Sequence, residues 1–109
     1  MEAMTPMPKH PPLRSPPYRK WLRGQPCILT GMGPCDGHHV KLLGNGGLSI
    51  KPPDTDCIPI IHRLHLRLDS PGHSEVSVFG EFWPDLDRDQ IRNRLRRIAD
   101  EHWARWEGM

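Results

Sequence analysis

The C-terminal part of the chain has the clearest pattern of apolar and polar positions. Its apolar and aromatic positions recur at helical spacing: Ile91, Leu95, Ile98, His102 and Trp106. The segment from Asp87 to Gln90 before them resembles a capping box, so we expect an amphipathic helix to begin there. Arg88, Arg92 and Arg96 share a different face of this helix, where they either contact phosphates or pair with acidic residues one turn away.

Two shorter helices are predicted upstream. Pro17 to Arg23 is expected to form a helical turn that packs on the core. Ile61 to Leu68 has apolar residues at positions i, i+3 and i+7, which gives a helix one buried face. On the neighbouring face, His65 and Asp69 lie one turn apart.

Short strands are expected between these helices. Gly37 to Leu43 is predicted to form one strand and Cys57 to Ile60 a second, in which Pro59 is tolerated only at a sheet edge. Cys27 to Leu29 is interpreted as a short strand or knuckle. Val76 to Pro84 is interpreted as a short apolar connection that helps to cover the core.

The N-terminal segment differs from the rest of the chain in composition and charge. Residues 1–17 contain six of the thirteen prolines and almost no apolar periodicity, so they are expected to be a disordered arm. Residues 1–23 carry five basic residues against one acidic residue, a net charge of +4 in a chain whose total is +2. A cationic arm suits contact with phosphates, and the alternative is a solvated, solubilising tail.

The composition also bears on location. The chain has no run of 18 apolar residues and no apolar segment typical of a signal peptide, so neither membrane insertion nor export is expected. Its three cysteines do not form the even set of a secreted disulfide framework and fit a reducing compartment. We therefore expect a cytoplasmic protein.

An adjacent histidine pair, His38-His39, is the most informative chemical feature. On an extended segment the two side chains point to opposite faces, so one can bind a metal while the other faces a substrate water. Several short motifs occur around the pair in this order along the chain: Tyr18 to Leu22, Pro26-Cys27, Gly37 to Val40, Gly44 to Gly47 leading to Lys51-Pro52, and Asp56 to Ile60 leading to His65. Over roughly residues 18–69 the chain resembles the HNH endonuclease family, and within it the small phage-type branch that includes recombination-enhancement, RecA-dependent nucleases.

The resemblance implies a fold class and a domain organisation. The fold would be α+β, with a small ββα-metal core over residues 18–80. The proline-rich basic arm, residues 1–17, would precede this core, and a C-terminal helical extension, residues 81–109, would follow it.

The resemblance also implies a hydrolytic site. His39 matches the general base that activates the water attacking a DNA phosphodiester, and Asp56 matches the Asn or Asp that braces the loop and orients the base or metal. His38 and His65 match ligands of a divalent metal, with Asp69 or His62 completing the set. Magnesium or manganese is expected there, and zinc is the alternative.

The implied substrate is DNA, single- or double-stranded, and a recombinase filament is a further expected partner. The basic residues expected to contact DNA are Arg19, Lys20, Arg23, Lys51, Arg63 and Arg67. The alternative function is a catalytically weak accessory protein that keeps the fold and binds nucleic acid or a protein partner.

The chain departs from the family at its cysteines. Many members carry two Cys-x-x-Cys knuckles that hold a structural zinc, whereas the corresponding segments here, Cys27 to Thr30 and Ile61 to Leu64, retain one thiol of the four. Tetrahedral zinc needs four good ligands, so no structural zinc is expected. The alternative is a remnant cluster of Cys27, Cys35, Cys57 and a histidine.

Overall fold

The computed structural model of the protein describes residues 13–44 and 52–109. Over these residues the chain forms four α-helices and one two-stranded antiparallel sheet, which confirms the predicted α+β class. In chain order the elements are α1 (Pro16–Arg23), β1 (Cys35–His39), a 3-10 turn (Lys41–Leu43), a second 3-10 turn (Asp54–Asp56), β2 (Cys57–Ile61), α2 (His62–Asp69), α3 (Glu75–Phe82) and α4 (Arg88–Glu107). Most of the predicted arm, most of the glycine-rich loop and Lys51 lie outside the described residues.

The sheet pairs the two predicted strands and fixes the position of the histidine pair. His38 lies opposite Ile58, and His39 lies opposite Cys57. Pro59 lies in the middle of β2, where it has no N–H to donate. Because each strand of a two-stranded sheet has one edge that faces no other strand, this position is tolerated, as the sequence predicted.

Two groups of buried side chains hold these elements together. The larger lies between the sheet and helices α2, α3 and α4, and includes Ile58, Ile60, Leu64, Phe79 and Leu95. The smaller joins α1 to the end of α4 and comprises Tyr18, Leu22 and Cys57, with Trp21, Trp103 and Trp106 packed against them. Helix α4 therefore connects both groups, and its predicted capping box is confirmed between Asp87 and Gln90.

The structure corrects two of the predicted elements. The strand expected to run to Leu43 ends at His39, because the chain then turns into the 3-10 segment Lys41–Leu43. The apolar connection expected after Val76 is instead helix α3, which begins at a capping box formed by Ser74 and Ser77. Its apolar face is buried, and this tertiary packing outweighs the low helix propensity of its valines and glycine.

The segment after Cys27 is a hydrogen-bonded turn rather than a strand, with the Gly31 N–H donating to the Cys27 carbonyl. No helix within the described ranges is both long and apolar enough to cross a membrane.

Candidate functional site

The two histidines of β1 have different surroundings, as expected for neighbours on a strand. The His38 side chain is buried, with 1% of its surface exposed, whereas 18% of the His39 side chain is exposed. Asp36 is two residues before His38 and so lies on the same face of the strand. Each histidine therefore meets its own set of polar partners.

His38 lies beside the first turns of α2. Its ring centroid is 5.3 Å from that of His65, and the two rings are nearly perpendicular. Asp69, one helical turn after His65, places its Oδ2 3.1 Å from Nε2 of His65. One ligand-type atom from each of these three residues lies within 4.8 Å of the others, so they form a group able to hold a metal ion, which we call the His38 group.

A carboxylate lies behind each histidine of the His38 group. Nδ1 of His65 is 2.8 Å from Oδ2 of Asp36, and Nε2 of His38 is 2.6 Å from Oε2 of Glu75. A carboxylate on the outer nitrogen of a histidine fixes the ring orientation and its proton, and this arrangement is common behind metal-binding histidines. Each ring therefore keeps one nitrogen for a ligand.

His62 shares the carboxylate of Asp36 with His65. Its Nδ1 lies 2.6 Å from the same Oδ2 atom, and 68% of its side chain is exposed. Burial would raise the pKa of Asp36, but the hydrogen bonds from His62 and His65 outweigh burial and lower it. Of the two candidates for the third ligand, the structure places Asp69 in the group and directs His62 to Asp36.

His39 is held by a second buried carboxylate. Its Nε2 lies 2.8 Å from Oδ1 of Asp54, which is fully buried. The other oxygen of Asp54 accepts a hydrogen bond of 2.6 Å from the Ser15 N–H and lies 3.1 Å from Nε of Arg19. Burial acts to raise the pKa of Asp54, but these donors and the Arg19 charge lower it overall. Asp54 is thus a fixed anion against which His39 is oriented, and we call these two residues the His39 pair.

Cys57 extends the His39 pair into a second group of potential ligands, because its sulfur lies within 4.8 Å of ligand-type atoms of His39 and Asp54. Metal binding by cysteine requires the thiolate. Burial, together with the negative charge of Asp54, raises the pKa of Cys57 to about 12, so this thiol stays protonated near neutral pH. The His38 group is therefore the better metal site of the two.

Asp56 has a different partner from the one the sequence suggested. Its Oδ1 forms an ion pair of 2.9 Å with Arg96 of α4, and Arg96 also contacts Asp100 at 3.2 Å. Asp56 therefore ties the segment before β2 to α4, while Asp54 makes the contact with His39 that was expected of Asp56. The pairing of Arg96 is also the alternative that the sequence left open for the arginine row of α4.

The basic residues expected to contact DNA divide into paired and exposed ones. Arg19 is paired with Asp54, and Nη1 of Arg67 lies 3.1 Å from Oε1 of Glu81. Three others are exposed: Lys20, Arg23 and Arg63. Lys51 lies outside the described residues.

The cysteines are placed in two different parts of the core. Cys27 and Cys35 belong to the larger buried group, and Cys57 belongs to the smaller group beside Tyr18. All three are free thiols. The structure therefore does not bring them together into the remnant cluster that the sequence left as an alternative.

Sequence reasoning missed three carboxylates of the site: Asp36, Asp54 and Glu75. The period of two along β1 is a signal that places Asp36 beside His38. Asp54 is two residues from the predicted Asp56, in the same acidic segment. Glu75 carries no comparable signal, because it lies beyond the stretch that carries the resemblance.

Residues 2–80 of the chain match the protein family described as "Protein of unknown function (DUF968)". The chain belongs to this family. The match to the DUF968 family includes the His38 group, the His39 pair, Asp36 and Glu75, and it ends within α3. Helix α4 lies beyond it.

A curated relative, "Uncharacterized protein YdfU" of Escherichia coli strain K12, is 32% identical to this DUF968 member over 62 residues. The aligned part is 57% of this chain and 17% of YdfU, so the chain spans about a sixth of the length of that relative. No solved structure matches the chain significantly.

Proposed function

We propose that this protein is a metal-dependent DNA endonuclease of the HNH type, which hydrolyses phosphodiester bonds. The observation that carries the proposal is that the two neighbouring histidines of β1 have different partners. His38 belongs to a group of metal-type ligands, and the adjacent His39 is paired with the buried carboxylate of Asp54. A site of this kind places a metal ligand and a base on consecutive residues, whose Cα atoms are about 3.8 Å apart.

His39 is the proposed general base. A carboxylate only accepts hydrogen bonds, so its contact with Nε2 places the ring proton on Nε2 and makes Nδ1 the basic nitrogen of the neutral ring. Histidine has an ordinary pKa near neutrality, which suits the removal of a proton from water. Asp54 orients the ring and stabilises the positive charge that the ring acquires when it takes the proton.

The donor atoms of the His38 group fit a divalent metal. Two imidazole nitrogens and one carboxylate oxygen suit manganese or zinc better than magnesium, which prefers an all-oxygen shell. When bound, the cation would stabilise the negative charge that develops on the leaving oxygen. Asp36 and Glu75 hold the two histidines by their outer nitrogens.

The substrate requires cationic contacts beside this site. Lys41, His73 and Arg88 line an open groove of about 310 Å³ that also borders Glu75. The groove is next to the site because Glu75, which borders it, contacts His38, so the backbone of a bound DNA strand can continue into this groove. The exposed Lys20, Arg23 and Arg63 remain proposed DNA contacts. For Arg19 and Arg67, DNA binding would compete with their ion pairs to Asp54 and Glu81. A recombinase filament as partner and a cytoplasmic location rest on the sequence alone and stay predictions.

The function is tested by cleavage of supercoiled plasmid and of single-stranded DNA. We expect nicking with manganese or magnesium and its loss when a chelator is added. A parallel preparation of the His39→Ala variant controls for contaminating nucleases. Binding of DNA without cleavage under any metal condition would contradict the enzyme and support the nucleic-acid-binding accessory protein instead.

The groove leads to a prediction about salt dependence. If Arg88 contacts a phosphate, Arg88→Gln should weaken duplex binding regardless of sequence and reduce the slope of log affinity against log salt by roughly 0.9. Arg97→Gln is the matched control, because nine residues along the same helix place it about 180° around the axis. Fluorescence anisotropy with chelator present measures both. Equal slopes for the two variants would place the phosphate contact elsewhere.

A further inference from the structure

Glu75, for which the sequence predicted no role, makes three hydrogen-bond contacts around the histidine pair. Its side chain is only 8% exposed, at the first position of α3. Oε2 accepts a hydrogen bond of 2.9 Å from the Lys41 N–H and lies 2.6 Å from Nε2 of His38. Oε1 accepts a hydrogen bond of 2.7 Å from the Leu42 N–H. One carboxylate thus joins α3 to β1 and to the turn that follows the histidine pair.

The contact with His38 has a consequence for the proton on that ring. Two backbone N–H groups already point at the Glu75 carboxylate, which identifies its oxygens as acceptors. Nε2 of His38 must therefore carry a proton and donate it. In the neutral ring the electron pair available to a metal is then on Nδ1.

We propose that Glu75 is a positioning residue, which holds His38 in the Nε2–H tautomer and so presents Nδ1 as its metal-binding atom. The part that concerns the metal rests on the proposed function, whereas the part that concerns the tautomer does not. Asp36 acts in the same sense on His65, but with the nitrogens exchanged, since its contact is to Nδ1 and leaves Nε2 beside Asp69. The two histidines of the His38 group therefore offer different ring nitrogens.

Nuclear magnetic resonance of the imidazole nitrogens tests the tautomer directly. The full chain is labelled with ¹⁵N, kept free of metal at about pH 8, where an ordinary histidine is neutral, and examined through two-bond ¹H–¹⁵N correlations. We expect His38 as the Nε2–H tautomer in the unaltered protein. In Glu75→Gln the amide can donate to Nε2, so the Nδ1–H tautomer should become populated.

Metal affinity is the second readout. Manganese titration of Glu75→Gln should show an affinity lower by about 10- to 100-fold, the usual cost of losing an outer partner of a metal ligand. Ser74→Ala is the matched control, because it removes the side-chain cap of the same helix and keeps the carboxylate. It should leave the His38 tautomer unchanged and the affinity within about twofold of the original.

An Nδ1–H tautomer of His38 in the unaltered protein would overturn the proposal, and this measurement needs no variant to fold. An unchanged tautomer and affinity in a folded Glu75→Gln would overturn it equally. Equal losses of affinity in Glu75→Gln and Ser74→Ala would mean that Glu75 acts only by supporting α3. If the tautomer and affinity follow expectation while the unaltered protein cuts no DNA, the endonuclease proposal fails and the positioning role of Glu75 stands.

Discussion

Replacing His39 with alanine is expected to slow DNA cleavage by about 100- to 10,000-fold, the usual contribution of a general base. The effect should fall on the rate of cleavage, because the metal-type ligands belong to the separate His38 group. Manganese affinity and DNA affinity should therefore stay close to those of the unaltered protein. Single-turnover cleavage, with metal titration on the same sample, measures both quantities.

The fold should survive this substitution. Asp54 loses the His39 contact but keeps the Ser15 N–H and the Arg19 charge, so its buried carboxylate still has partners. Added imidazole should restore part of the rate if only the base has been removed. A His39→Ala protein with full activity would eliminate His39 as the base, and one that has lost metal binding would place His39 among the ligands.

The regular elements were predictable where a local pattern and a local cap agree. The capping box of α4 and its apolar spacing gave both the type and the start of that helix, which begins at Arg88. Leu64 and Leu68 are buried on α2, as their spacing indicated. Ile58 and Ile60 of β2 are buried as well, opposite His38 and Asp36 of β1.

Apart from Asp36, which the strand period places beside His38, the partners of the histidines depend on contacts that no local pattern encodes. Asp54 and Asp56 belong to one 3-10 turn. Side chains two positions apart in such a turn point in directions about 120° apart around its axis, so these two aspartates cannot face the same partner. Asp54 meets His39, whereas Asp56 is held by Arg96 of α4. That arginine is distant in sequence and outside the segment that carries the resemblance.

Helix α3 was missed for a related reason. Its glycine and two valines favour other conformations, and burial of Val78 and Phe79 against the core overcomes this preference. Without a helix there, Glu75 had no predicted position relative to His38. The carboxylates behind the histidines are thus a product of tertiary packing, whereas the histidines themselves were evident from the sequence.

Removal of a metal ligand should also have a large effect, in this case on both metal affinity and cleavage. In His65→Ala we expect manganese affinity to fall by at least about 100-fold, more than the loss of an outer partner causes, and cleavage to be lost together with it. His65 contributes to the group that contains His38 and Asp69, and it is already oriented by Asp36. Isothermal titration with manganese and plasmid nicking on the same preparations would measure the two losses.

His62→Ala is the matched control for this prediction. It removes the same type of side chain from the same helix, and His62, like His65, contacts Oδ2 of Asp36. Asp36 still holds His65 after this change, so metal affinity should remain within about tenfold, the lower end of the effect of an outer partner.

Asp69→Asn should instead behave like His65→Ala, since it replaces the only carboxylate of the His38 group. A loss of affinity in His62→Ala combined with none in Asp69→Asn would transfer the third ligand to His62. Unchanged affinity in both His65→Ala and Asp69→Asn would exclude the His38 group as the metal site.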